Sequence, residues 1–212
     1  KEDLEVLKFV LTRLKQQGCE ETDEAVMEVQ KQYDIVYAEK AAEIEAERIR
    51  KNPAYGAQKA YEAGNFTEAI ELYQKAADAT DDGDKEGLYY YQMAQIQNAK
   101  LGQTGAARTN ANKAAKARKN WGKPYILIGD IYGKMSRNCG DAWDQRLAVL
   151  AAIDKYNYAK SIDAESASEA NKRIGNYRGS MPIKADAFSR GKKEGDKIKV
   201  GCGIGETVRL RF

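Results

Sequence analysis

Glycine and alanine return along the middle of this chain in a fixed order, at positions where a helix would ordinarily carry Leu or Ile. Gly64, Ala69 and Ala76 are matched 38 residues later by Gly102, Ala107 and Ala114, and Ala57 and Ala60 by Gln95 and Asn98. In the next step Ala94, Gln95 and Asn98 become Ile128, Gly129 and Tyr132 after 34 residues, while Ala107 and Ala114 become Ala152 and Ala159 after 45. Small side chains at helix contacts let two axes approach near the lower end of the usual range of about 8 to 10 Å. Ala57, Ala60 and Gly64 therefore line one helix, the pair Gly64-Asn65 breaks it, and Ala69, Tyr73 and Ala76 line the next, with Phe66 and Ile70 filling the space between. Against a basic step of 34, the extra residues fall in the polar linker Thr80 to Gly87 and around Ser136 to Trp143. Insertions confined to loops are what a stacked helical repeat tolerates.

The flanks read differently. Leu4, Leu7, Leu11 and Leu14 make residues 3 to 17 an amphipathic helix that stops at Gly18, and a second helix begins near Thr22 with Val26, Val29, Tyr33, Val36 and Tyr37 along its stripe. From Ala41 to Arg50 that helix turns Glu- and Ala-rich, so it projects or bridges. Glu165 to Arg178 sets Ala167, Ala170, Ile174 and Tyr177 on one face, the pattern of a capping helix. Beyond Gly179 a short helix spans 185 to 190. Ile198, Val200 and Cys202, and then Val208, Leu210 and Phe212, alternate as in a β-hairpin. A lone hairpin is marginal in water, which predicts that it lies on the capping helix or pairs with another chain.

Composition narrows the chemistry. The 212 residues include no His, which removes the commonest general base and imidazole ligand, and no spacing argues for a Cys- or Lys-centred site; the catalytic, metal and cofactor expectations are all none. The longest apolar run, Leu147 to Ile153, is too short to cross a bilayer. Cys19, Cys139 and Cys202 lack zinc spacing; buried thiols and one bridged pair both stay open. The sequence opens at Lys1, which is compatible with a removed signal peptide, and a periplasmic or envelope-associated location is the expectation in that case.

Residues 1 to 50 carry 8 basic and 13 acidic side chains, whereas 179 to 212 carry 8 and 4. Between Gly87 and Gly129 there is no acid, and Arg108, Lys113, Lys116 and Lys119 form a ridge that reads either as a solvated helix face or as an anion-binding surface. No recognition-helix motif or RNA-reading aromatic signature accompanies it, which argues against nucleic acid. Gly201 to Gly205 resembles a phosphate loop but precedes a strand pattern, so it reads as a hairpin turn. Asp78 to Glu86 approximates a calcium loop, but Tyr89 stands where a bidentate Glu is needed, and the acids read instead as a cap for the following helix. Trp143, in the insertion near Cys139, reads as an exposed contact site or as buried by a folded-back insertion.

A helical hairpin with period 34 resembles the tetratricopeptide repeat. Gly64, Phe66, Ala69, Tyr73 and Ala76 carry the likeness, with Gly129, Tyr132 and the segment Ala152 to Ile162, over roughly residues 51 to 164. The second repeat departs from the motif at Gln95, Asn98, Thr104 and Ala111, and the closing proline is missing throughout. The end of the chain resembles that of uncharacterised exported bacterial tetratricopeptide proteins, with Gly203 where Trp is expected. The resemblance implies that first helices line a concave face, and so a peptide-binding groove drawn from Tyr61, Tyr89, Gln92, Ile96, Lys123, Ile126 and Asp130. Ala54 and Gln58 stand where the Lys and Asn of the family's carboxylate clamp would be, so binding of that kind is not implied.

The expected fold is thus all-α: a tetratricopeptide-like helical-hairpin solenoid with amino-terminal helices (1–50), three repeats and a capping helix (51–178), and a short helix with a small terminal β-hairpin (179–212). The expected function is non-enzymatic binding of a protein or peptide partner. The alternative is a structural, envelope-associated assembly protein that forms a homo-oligomer through its hairpin and its acidic amino-terminal helices.

Overall fold

A computed structural model describes residues 3–212. The chain divides into two compact units, 1–56 and 57–212. In the first, α1 (Leu4–Gln16) is capped by the Asp3 carboxylate, which accepts from the Glu5 amide, and packs against α2 (Glu24–Lys51). Leu7, Leu11 and Val26 are the buried side chains of that contact. The Glu-rich end of α2 does not project alone. The Arg48 guanidinium lies 3.9 Å from the Tyr55 ring centroid, and the Tyr55 hydroxyl donates to Glu45 Oε1 at 2.9 Å. Gly56 also fits closely against Ile49, so this unit runs a few residues beyond the change in composition at 50.

α3 (Pro53–Glu62) leads into the second unit, followed by α4 (Phe66–Asp78), α5 (Gly83–Ala99), α6 (Thr104–Ala117), α7 (Lys123–Ser136) and α8 (Ala142–Ile162). Gly64 and Gly102 take positive φ (81° and 66°) in the turns after α3 and α5, which is why glycine recurs there. The recurrent alanines are the contact surface between helices: Ala57, Ala69, Ala94, Ala107, Ala111, Ala114, Ala152 and Ala159 are all fully buried. Ala57, Ala60, Ala69 and Tyr73 share a cluster with Tyr90, Met93 and Trp121, while Ala94, Ala107 and Ala111 join the larger cluster built on α7 and α8. Between the middle pair of helices the buried Asn110 Nδ2 donates to Gln97 Oε1 at 2.9 Å, whereas the polar replacement Asn98 keeps a buried Oδ1 with no hydrogen-bond partner among the described residues.

After a 3₁₀ turn (Ala164–Ser166) comes α9 (Ala167–Tyr177), which packs on α8, and then α10 (Lys184–Ser189). The tail ends in an antiparallel hairpin of β1 (Lys197–Lys199) and β2 (Thr207–Arg209), with Ile198 opposite Val208. The described chain is therefore overwhelmingly helical, with one two-stranded sheet. The hairpin rests on α8 rather than on the capping helix α9. α7 and α8 supply most of the buried residues of one core cluster, and Val200, Ile204, Val208 and Leu210 are buried in that cluster beside Ile128, Ile131 and Leu150. Polar ties reinforce it: Arg211 Nη2 to Asp154 at 2.6 Å, and Lys155 Nζ to Glu206 at 2.8 Å. Cys139 and Cys202 form a disulfide, and Cys19 is a free thiol. Trp143 is 7% exposed, so the insertion folds back and buries it.

Candidate functional site

The seven groove residues divide into three groups. Tyr61 on α3 and Gln92 and Ile96 on α5 line one recess of about 170 Å³, together with Gln95, Ala99 and Lys100. Ile96 is 3% exposed and anchors this patch to the core, while Tyr61 stays open to solvent. Lys100 Nζ stands 6.0 Å from the Tyr61 ring centroid and 5.6 Å from that of Phe66, within reach of cation–π attraction. Gln95 donates to the Tyr91 hydroxyl at 3.2 Å. The arrangement offers a ring face, an ammonium and two primary amides around an apolar spot. Those groups suit an extended peptide or another polar ligand with some apolar surface.

Tyr89 lies elsewhere. It stacks on Tyr73 with ring centroids 6.1 Å apart, and Tyr73 donates to Gln58 Oε1 at 3.3 Å. On α7, Lys123 is exposed at the first turn, Ile126 is 4% exposed in the core, and Asp130 is held internally. Asp130 Oδ1 accepts from the Tyr156 hydroxyl at 2.9 Å and from Arg173 Nε at 2.7 Å, and Arg173 Nη2 also donates to Glu169 at 3.0 Å. Burial, and then the Asp130 carboxylate, push the Tyr156 hydroxyl well above its ordinary range, while the bond from Arg173 to Asp130 raises the guanidinium further. Tyr91 nearby is pushed up to about 12, by burial first and then by Glu169 and Asp130.

The basic ridge also separates into parts. Arg108 Nη1 donates to the Gly203 carbonyl at 2.6 Å and to that of Ile204 at 3.2 Å, so it clamps the hairpin turn to α6. Lys113 sits 4.9 Å from the Tyr90 ring centroid and shares a shallow recess with Lys116, Tyr90 and Glu86; Lys119 is exposed beyond it. Asp82 Oδ1 accepts from the amides of Asp84 and Lys85 and caps α5, so the acids of that linker serve the helix. Among the described residues no group of three or more His, Cys, Asp or Glu side chains could hold a metal ion, and no helix is long and apolar enough to cross a membrane.

No family model matches this chain, and no curated protein matches it. Its site is therefore read from the residues alone. Sequence reasoning missed Gln95, Ala99 and Lys100 as recess residues. In sequence Gln95 reads only as a departure from the repeat and Lys100 only as a cation of the acid-free stretch between Gly87 and Gly129, although both follow Gln92 and Ile96 at helical spacing on one face of α5.

Proposed function

We propose that this protein is a non-catalytic, tetratricopeptide-like helical-repeat scaffold that binds an extended peptide segment of a partner protein in the recess between α3 and α5. The observation that carries the reading is that recess, where Tyr61, Gln92, Gln95 and Lys100 line the space beside Ile96 on two helices that share a buried cluster of Ala57, Ala60, Tyr90, Met93 and Ile96. Tyrosine is a good anchor there, since it loses little side-chain entropy on binding and keeps a polar handle. The test is selection of a peptide from a random display library, followed by titration against Tyr61→Ala and Lys100→Glu. Binding weakened about tenfold or more by either change supports the site, given the usual weight of central aromatic and charged anchors. Undiminished binding to both removes it.

A second reading, an envelope-associated assembly protein, is favoured by two observations. The Cys139–Cys202 disulfide suits an oxidising compartment, and α1 and α2 leave Val6, Phe9, Met27 and Ile35 each more than half exposed. Light scattering after size exclusion separates the readings. A concentration-independent monomer discards assembly, and an oligomer lost with Phe9→Glu and Ile35→Glu supports it.

A further inference from the structure

A second cleft, of about 330 Å³, opens where α7 gives way to α8 and is closed on one side by the turn after α9. It shares no lining residue with the recess between α3 and α5. Two guanidinium groups, Arg137 and Arg146, line it, and no carboxylate does. Arg146 Nη1 donates to the Met181 carbonyl at 2.7 Å. That bond fixes the group and leaves further N–H donors of the planar fork uncommitted. Arg137 has no ion pair or side-chain hydrogen bond among the described residues, and the same holds for the Gln145 amide and the hydroxyls of Tyr177 and Ser180. Tyr177 reaches this place because Gly133 has no side chain: a Cβ there would lie 2.6 Å from Tyr177 Cζ.

Neither Asp141 nor Asp144, the acids nearest in sequence to the start of α8, forms an ion pair with these cations. Asp141 is engaged by the Trp143 and Asp144 amides and by Arg190 Nη2 at 2.7 Å. What remains is a pocket of donors with excess positive charge and a volume near the bottom of the range for small-ligand sites, about 300 to 1,000 Å³. Planar guanidinium groups recognise carboxylate and phosphate through paired N–H donors.

We propose that this cleft binds a small oxyanion-bearing ligand, a phosphate ester or a carboxylate on a body of about monosaccharide size. Arg137 and Arg146 take the anion, and Gln145, Tyr177 and Ser180 take neighbouring hydroxyls. The test is isothermal titration of the full chain at low ionic strength with three probes: inorganic phosphate, glucose 6-phosphate and glucuronate. Saturable binding of at least one probe is expected, weakened about tenfold by Arg137→Gln because one charge-assisted pair is lost. Gln145→Leu should weaken the sugar probes while leaving inorganic phosphate within about twofold, since the amide faces the body rather than the anion. Lys197→Gln in β1, outside the cleft, serves as the charge control and should change nothing. Preference for glucose 6-phosphate over glucuronate assigns a phosphate ester, and the reverse assigns a carboxylate. Because Arg137 has no internal partner, its variant should melt like the parent. The proposal is overturned if no probe gives a saturable isotherm, or if Arg137→Gln binds as the parent does.

Discussion

Gly129 on α7 packs against the ring of Tyr156 on α8, so close that a Cβ at Gly129 would stand 2.8 Å from Tyr156 Cδ1. The pair, like Gly133 with Tyr177, shows one helix giving up its side chain so that a partner can place an aromatic there. Tyr156 is fully buried, and its hydroxyl still reaches Asp130. Gly129→Ala should therefore destabilise the protein by about 1 to 3 kcal/mol through overpacking. Gly105, on α6, has nothing within 4 Å of its would-be Cβ, and Gly105→Ala should stabilise by about 0.5 to 1 kcal/mol. Urea denaturation of the two variants beside the parent reads both signs in one experiment.

The disulfide between Cys139 and Cys202 closes a loop of 63 residues in sequence separation. Cys139→Ser with Cys202→Ser should lower stability by about 2 to 4 kcal/mol, chiefly by freeing the unfolded chain. The loss should appear as a lower melting temperature that reductant no longer changes, whereas reductant should lower the melting temperature of the parent. Cys19→Ser should move neither value.

Burial would push the Glu206 carboxyl up, but bonds from Lys155 and the Tyr132 hydroxyl outweigh it and hold the group below its ordinary range. A carboxylate lowered on folding contributes stability above its unfolded pKa of about 4.3, and that contribution is lost as pH falls through the folded value. Stability measured from pH 6 downward should fall in that acid window, and Glu206→Gln should flatten the fall. An unchanged profile in the variant would show that the hairpin's ion pair carries none of it.

Asp82 caps α5 by accepting from two backbone amides. Asp82→Ala should cost about 1 kcal/mol, the usual weight of an N-cap, with no change in response to calcium. A calcium-dependent melting temperature in the parent would contradict this assignment of the acidic linker.

Much of the helical layout was legible because its causes are local. The spacing of Leu4, Leu7 and Leu11 specified α1; Gly64 and Gly102 marked turns that need positive φ; and the alanines at 57, 69, 107, 114, 152 and 159 pointed to buried helix contacts. What failed was long-range. Nothing near Cys202 in sequence says that its partner is Cys139, and alternation alone could not say that Val208 and Leu210 would sit on α8 rather than on α9. The candidate sites were harder still. Tyr61, Gln92 and Ile96 share a recess because they occupy matching faces of two helices, but Asp130 and Arg108, equally plausible by position, were claimed by Arg173, Tyr156 and the carbonyls of the hairpin turn. Charge and helical face identify a candidate; only the fold shows which candidates already have partners.

The central claim is that close-packed helices create a recess on α3 and α5 that holds a peptide. Amide and side-chain NMR shifts on titration with a display-selected peptide test it most directly. The account predicts saturable changes concentrated at Tyr61, Gln92, Gln95 and Lys100, and their loss in Tyr61→Ala. Changes confined to other helices, or no selected peptide that binds above a glycine-serine control, would contradict it.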